Sequence, residues 1–184
     1  MKTVIIYTSQ TGFTKRYANW LAEKVQGDIL TIDEAKKKKD DFYKAYDAIV
    51  YGGWAMAGSV VQSKWFLEKA AAWKEKKLAI FCVGASPMEN PDVETALHNL
   101  LTDAQREYIK AFYCQGGLDY SKMKMPSKLA MKAFASMLAK NKNPSESEQK
   151  MAEMISRSYD ISDEKYVEPI VEYLVGDGNI LNEV

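Results

Sequence analysis

Residues 3–25 read TVIIYTSQTGFTKRYANWLAEKV, and this stretch decides the fold. Thr3–Tyr7 is β-branched or aromatic at every position, with no alternation of polar and apolar residues. Such a run suits a parallel strand covered on both faces. From Thr14 onward, Tyr17, Trp20, Leu21 and Val25 recur at helical spacing, which predicts a helix over Thr14–Val25. Between strand and helix, Thr8–Thr14 (TSQTGFT) sets Ser9, Thr11 and Thr14 around Gly12. The first turn of a helix has backbone N–H groups without intrahelical partners, and the helix dipole adds partial positive charge. Gly12 allows a ligand close to the backbone, and the hydroxyls add neutral donors. Such a loop can hold a phosphate with no Lys or Arg inside it. It is neither the GxxxxGK[ST] loop nor the dinucleotide GxGxxG. A plain Ser/Thr-capped turn is the competing reading; three spaced hydroxyls after the first strand favour phosphate.

Working outward, further strand-like runs lie at Asp28–Ile32, Ala48–Tyr51, Leu78–Val83 and Tyr108–Cys114. Helical patterns separate them at Val61–Trp73 and at Asn90–Leu101, the latter opened by the helix-start pair Asn90–Pro91. Strand and helix in alternation predict a parallel sheet with helices on both faces, wound by right-handed crossovers. Five strands by residue 114 is the short doubly wound α/β layout. The segment Lys36–Asp41 (KKKKDD) reads as a charged turn or helix end.

Of the 184 residues, 47% are apolar and 27% charged, as in soluble globular domains. One domain is expected over residues 1–175, with an arm at 116–157 and a frayed tail at 176–184. Lys plus Arg equals Asp plus Glu at 25 each, so no global field attracts nucleic acid. Cys82 and Cys114 lack metal-ligand spacing and sit in apolar stretches, as reduced core residues do. The apolar run at the N-terminus is too short for a signal peptide or a membrane span, so a cytoplasmic protein is expected. His98 is the only histidine, paired with Glu94 at helical spacing; a surface or cap role is expected. No catalytic residue and no metal site is expected.

Ser9-Gln10-Thr11-Gly12-Phe13-Thr14 resembles the [ST]-x-T-G-x-T phosphate loop of flavodoxin-like FMN proteins. By strand and helix order the resemblance runs from Met1 to about Cys114. It implies a five-stranded parallel sheet in the order 2-1-3-4-5, with FMN as cofactor. It also implies that Ser9, Gln10, Thr11, Gly12, Phe13 and Thr14 hold the FMN phosphate. In a doubly wound sheet, ligands lie beyond the carboxyl ends of the strands. The loops after the third and fourth strands are then the flavin loops. In the first, Gly52–Ser59 (GGWAMAGS), Gly53, Trp54, Ala55, Met56, Ala57 and Gly58 are candidate contacts. Its glycines would bring amides to the ring edge, and Trp54 or Met56 would lie on the ring face. In the second, Gly84–Asn90 (GASPMEN), the resemblance points to Gly84, Ala85 and Ser86. Glu89 is the sole acidic residue in either loop, whereas many electron-carrier flavodoxins are strongly acidic there.

After Cys114 the character changes. Gln115–Asp119 (QGGLD) is a turn signal, and Tyr120–Asn143 carries six Lys and no acidic residue. Within it, Ser127–Lys140 places Ala130, Met131, Phe134, Met137 and Leu138 on one helical face, with Lys128 and Lys132 opposite. That face is expected to pack on the sheet; the competing reading lays Lys122–Lys140 on the anionic inner face of a membrane. Ser145–Ser156 and Glu164–Leu174 read as two further helices, the second closing one face of the sheet. Leu118-Asp119-Tyr120-Ser121-Lys122-Met123-Lys124 and the basic helix after it resemble the arm of menaquinone-dependent protoporphyrinogen dehydrogenases. Arg157–Leu174 is similar to the closing helix of that family. The resemblance implies an FMN-dependent oxidoreductase exchanging electrons with a redox partner, a quinone or a porphyrinogen-like substrate. This chain is poorer in basic residues at the flavin loops than that family, leaving Lys64 and the arm lysines to meet a dicarboxylate. The other readings are a one-electron carrier flavodoxin and a non-redox binding protein on the same fold. Electron donor, acceptor and oligomeric state stay open.

Overall fold

The computed structural model describes residues 1–56 and 58–176. Its elements run β1 (Thr3–Tyr7), α1 (Phe13–Val25), β2 (Asp28–Thr31), α2 (Ile32–Lys36), α3 (Asp40–Lys44) and β3 (Ala48–Met56). They continue with β4 (Ser59–Val60), α4 (Ser63–Ala70), β5 (Lys77–Gly84), α5 (Pro91–Asn99), α6 (Asp103–Arg106) and β6 (Ile109–Gln115). The last are β7 (Gly117–Leu118), α7 (Met125–Ala139), α8 (Glu146–Ile155), β8 (Tyr159–Asp160) and α9 (Glu168–Val175). The tail expected at 176–184 lies, from residue 177, outside the described residues.

Strands β2-β1-β3-β5-β6 form one parallel sheet in that order. Counted without the two-residue strand β4, this is the expected order 2-1-3-4-5. The chain passes from β1 outward to β2, then crosses back over β1 to β3. The apolar runs of β1, β3 and β5 become strands because both faces are covered. Val4, Ile6, Ile49, Tyr51, Leu78 and Ile80 pack beneath Ile32, Tyr43, Phe66 and Trp73 of the second layer. Ile5, Val50, Ala79, Phe81, Val83 and Cys114 face α1 and α9, through Tyr17, Leu21, Ile170 and Leu174. Full burial of each such Ile, Leu or Phe contributes roughly 1.5–3 kcal/mol. The closing helix α9 thus covers one face of the sheet, as expected.

Tyr17 ties this face together. Its buried hydroxyl donates to the Gln115 carbonyl and accepts the Asp163 amide at 3.1 Å. Burial raises its pKa.

Two expectations need correction. Strand β3 does not stop at Tyr51; it runs to Met56 and turns back into β4, pairing Ala55 with Val60 and Met56 with Ser59. The reason is packing space. A Cβ on Gly52 would sit 2.0 Å from the Phe81 ring, and one on Gly53 would sit 2.6 Å from Val60. Both glycines are therefore sheet residues. The charged run is the turn and helix end expected, since Lys36 closes α2 and Asp40 opens α3. The second correction is that helix α7 does not lie on the sheet. It packs on α8, buries no residue, and holds Phe134 and Met137 outward while Met131 and Leu138 are half-buried.

Candidate functional site

The joint between β1 and α1 is built on Gly12, whose φ of +103° begins the helix in a left-handed conformation. No atom lies within 4 Å of the position a Cβ would take there, so the space above it is open. The Thr8 amide donates to the Gly52 carbonyl at 2.9 Å, anchoring the loop to β3. Gln62 donates from Nε2 to Thr8 Oγ1 at 3.2 Å, and Ser9 Oγ accepts the Gly12 amide at 3.2 Å. Among the described residues, the amides of Ser9, Gln10, Thr11 and Phe13 have no protein acceptor. Thr14, at the first turn of α1, is 1% exposed. Phe13 is buried near Gly117, whose Cβ position lies 3.0 Å from the ring. It offers the loop its amide rather than its side chain. The structure thus brings Ser9, Gln10, Thr11, Gly12, Phe13 and Thr14 together as a neutral, donor-rich concavity. Arg16 is engaged elsewhere, 2.6 Å from Asp160.

The β3–β4 hairpin stands beside this loop, since Gly52 holds Thr8. Trp54 is half-buried and pairs in register with Val83, while Ala55, Met56 and Gly58 are exposed toward the hairpin tip. Ala57 lies outside the described residues. A hairpin rather than an irregular loop therefore presents these side chains.

At the end of β5, three successive carbonyls are fixed. Gly84 O accepts the Gly116 amide at 2.7 Å, Ala85 O the Tyr159 hydroxyl at 2.7 Å, and Ser86 O the Tyr113 hydroxyl at 2.7 Å. The Ala85 and Ser86 amides have no protein acceptor among the described residues. Burial pushes the Tyr159 hydroxyl up to about 12 and raises that of Tyr113, so both remain donors at neutral pH.

Sequence reasoning missed Tyr113, Tyr159 and Gln62, and named Lys124 only as one of the arm lysines. Tyr113 follows an apolar run and reads as core. Tyr159 comes from beyond the arm, where β7 and β8 pair Gly117 with Asp160 and Leu118 with Tyr159. The Lys124 amide, at the start of α7, donates to Gln10 Oε1 at 3.4 Å, which brings the arm to the phosphate-type loop. On the β2 side of that loop lies a cleft of 310 Å³ lined by Tyr7, Ser9, Gln10, Lys15, Thr31 and Asp33. Nothing in local sequence pattern joins these segments.

His98 is exposed in the last turn of α5, where a basic residue complements the helix dipole. Cys114 is buried and Cys82 half-buried, both free; burial pushes the Cys82 thiol up to about 12 and raises that of Cys114. Lys64 pairs with Glu68 at 3.8 Å on the surface of α4. Among the described residues no cluster of His, Cys, Asp or Glu is set to hold a metal ion, and no helix is long and apolar enough to cross a membrane.

The profile of the flavodoxin domain family matches residues 4–145, from β1 through α7. No curated protein matches the chain. Among solved structures, a flavodoxin, WrbA-like protein from Agrobacterium tumefaciens is similar at 25% identity, covering 69% of this chain and 87% of that one, with a TM-score of 0.47. A flavoprotein in complex with FMN from Lactobacillus acidophilus is 17% identical over 62% of this chain and 91% of that one, TM-score 0.44. The two-electron reduced flavodoxin of Megasphaera elsdenii is 20% identical over 60% and 84%, TM-score 0.42. With the family profile spanning the sheet, the donor-rich loop and the first arm helix, the chain belongs to the flavodoxin domain family.

Proposed function

We propose that this protein binds FMN and passes electrons through it, as an oxidoreductase or electron-transfer protein. One observation carries the reading: the loop Ser9–Thr14 gathers unpartnered donors at the positive end of α1. The residues fit a terminal phosphate. A dianion accepts several hydrogen bonds, and the amides of Ser9, Gln10, Thr11 and Phe13 with the hydroxyls of Ser9, Thr11 and Thr14 would supply them; Ser9 Oγ accepts the Gly12 amide and keeps its own proton to donate. The isoalloxazine ring would be bordered by Gly53, Trp54, Ala55, Met56 and Gly58 of the hairpin, and by Gly84, Ala85 and Ser86. FMN, when bound, supplies the electron-transfer chemistry. The chain's own part is to bind and orient. Tyr159 holds the Ala85 carbonyl and Tyr113 the Ser86 carbonyl, which leaves the two amides free for a ligand edge.

For the partner, the Leu118–Lys124 turn and the basic helix after it support a quinone or porphyrinogen-like substrate. The contact between Lys124 and Gln10 sets that arm beside the loop.

Titrating the unliganded protein with FMN, followed by quenching of flavin fluorescence, tests the reading; saturable binding is expected. Removing both hydroxyls in Ser9→Ala/Thr11→Ala should weaken FMN by about a hundredfold, at roughly 1.5 kcal/mol per charge-assisted bond. Riboflavin, lacking the phosphate, should lose almost nothing. Equal losses for the two ligands would sink the phosphate assignment.

A further inference from the structure

Helix α7 is rich in apolar residues, yet none of its residues is buried. Met125, Leu129, Phe134 and Met137 are 64%, 59%, 41% and 60% exposed. Successive helix positions are about 100° apart, which puts Met125, Leu129, Ala133, Met137 and Phe134 on one continuous side. The opposite side, with Ser127, Met131, Ala135 and Leu138 half-buried, is the one turned toward the protein. The outward stripe is therefore an apolar face with no cover among the described residues.

Its electrical setting is one-sided. Six lysines fall between Tyr120 and Asn143 with no acidic residue among them. Among the described residues only Lys122 forms an ion pair there, with Asp119 at 3.0 Å. Lys124, Lys128, Lys132, Lys140 and Lys142 carry their charge unpaired, although the whole chain is neutral. Lys132 and Lys140 are exposed beside the apolar stripe. An apolar helix face with Phe and Leu, bordered by cations, has the composition of a helix lying in a lipid interface. Anionic headgroups meet the lysines while the stripe enters the acyl boundary.

Position adds a further observation. Helix α7 begins at the phosphate-type loop, where Lys124 meets Gln10. Met56 on the β3–β4 hairpin and Met88 after β5 are also exposed, at the carboxyl end of the same sheet.

We infer that the outer face of α7 docks this protein on an anionic membrane surface, with the carboxyl end of its sheet toward the lipid. The inference stands on α7 and its lysines and does not require the flavin reading.

Sedimentation of the purified full chain with vesicles tests it. Mixed phosphatidylglycerol–phosphatidylcholine vesicles should carry the protein down, and pure phosphatidylcholine vesicles should not. Leu129→Glu/Met137→Glu should lower the bound fraction at least tenfold. Both positions are exposed, so the thermal midpoint should hold, and that measurement separates lost docking from lost folding. Lys132→Glu/Lys140→Glu should do the same, and raising the salt should weaken the wild type in parallel. Failure of the wild type to sediment with anionic vesicles overturns the inference. So does a wild-type dimer by light scattering that Leu129→Glu/Met137→Glu dissolves, since a second copy would then cover the face.

Discussion

Helices α1 and α7 are of similar length, 13 and 15 residues, and both are amphipathic, but they have opposite fates. Helix α1 buries Phe13, Thr14, Tyr17, Ala18 and Leu21; α7, with the higher apolar content, buries nothing. Apolar content does not decide burial. Helix α1 is the crossover between two parallel strands, so the right-handed connection presses it onto the sheet. Helix α7 follows the last strand of the parallel sheet, is no crossover between its strands, and rests mainly on α8 among the described residues.

Alkali should break this contrast most strongly. Tyr17, Tyr43, Tyr46, Tyr51 and Tyr113 of the sheet body, with Tyr159 at the joint, all have raised pKa values, chiefly through burial. Tyr43 and Tyr46 stand near about 12. A group whose folded pKa is raised lends stability that is complete below its unfolded value, about 10 for tyrosine. That stability is lost as pH climbs through the folded values. Stability to urea should therefore be level in this respect from pH 8 to 10 and fall steeply above it, with tyrosinate absorbance rising in step with unfolding. Absorbance that rises near pH 10 in the intact fold would show these hydroxyls to be open to water.

Next in size is the direct exchange between the two helices. Leu21→Ala should cost about 3 kcal/mol in denaturant unfolding, as a large-to-small change in a packed core. Leu129→Ala should stay within about 0.5 kcal/mol, because the side chain is already in water. Similar values at the two sites would mean that α7 is covered in solution.

Smaller still, Tyr159→Phe removes the hydroxyl that Ala85 accepts and should cost about 1 kcal/mol. If the residue positions the loop after β5, it should also alter the visible spectrum of bound flavin, which a purely structural role would leave alone.

The same contrast explains what could be read from sequence. Strands β1, β3 and β5 were legible because each is a short apolar run with both faces covered, and Thr8–Thr14 because its hydroxyls crowd one joint; edge strand β2, with Ile29 exposed, left a weaker mark, and the strand order came from the family resemblance. The extension of β3 was not legible, since Gly52 and Gly53 look like a loop until Phe81 and Val60 are seen filling the space above them. Helices α2, α3 and α6 are five, five and four residues long, less than the two turns in which periodicity shows. The arm misled for a different reason. Ala130, Phe134 and Met137 fall on a helical face that local pattern assigns to a core, and only the placement of α8 reveals that no core is there. Tyr159 reaches Ala85 from 74 positions away, a separation that leaves no mark on local sequence.

The short ladder between β7 and β8 has a consequence for how this fold can vary. Pairing Leu118 with Tyr159 brings the two ends of the intervening segment side by side, so the chain departs from the sheet and returns to it at one seam. Gly117 makes the seam tight, since a Cβ there would lie 2.1 Å from the Tyr159 carbonyl oxygen. The entropy of closing such an excursion grows only logarithmically with its length, about 0.6 kcal/mol for each doubling. Everything between these strands can thus be lengthened, shortened or exchanged at little thermodynamic cost to the sheet, which makes the seam a natural point of grafting for new surfaces.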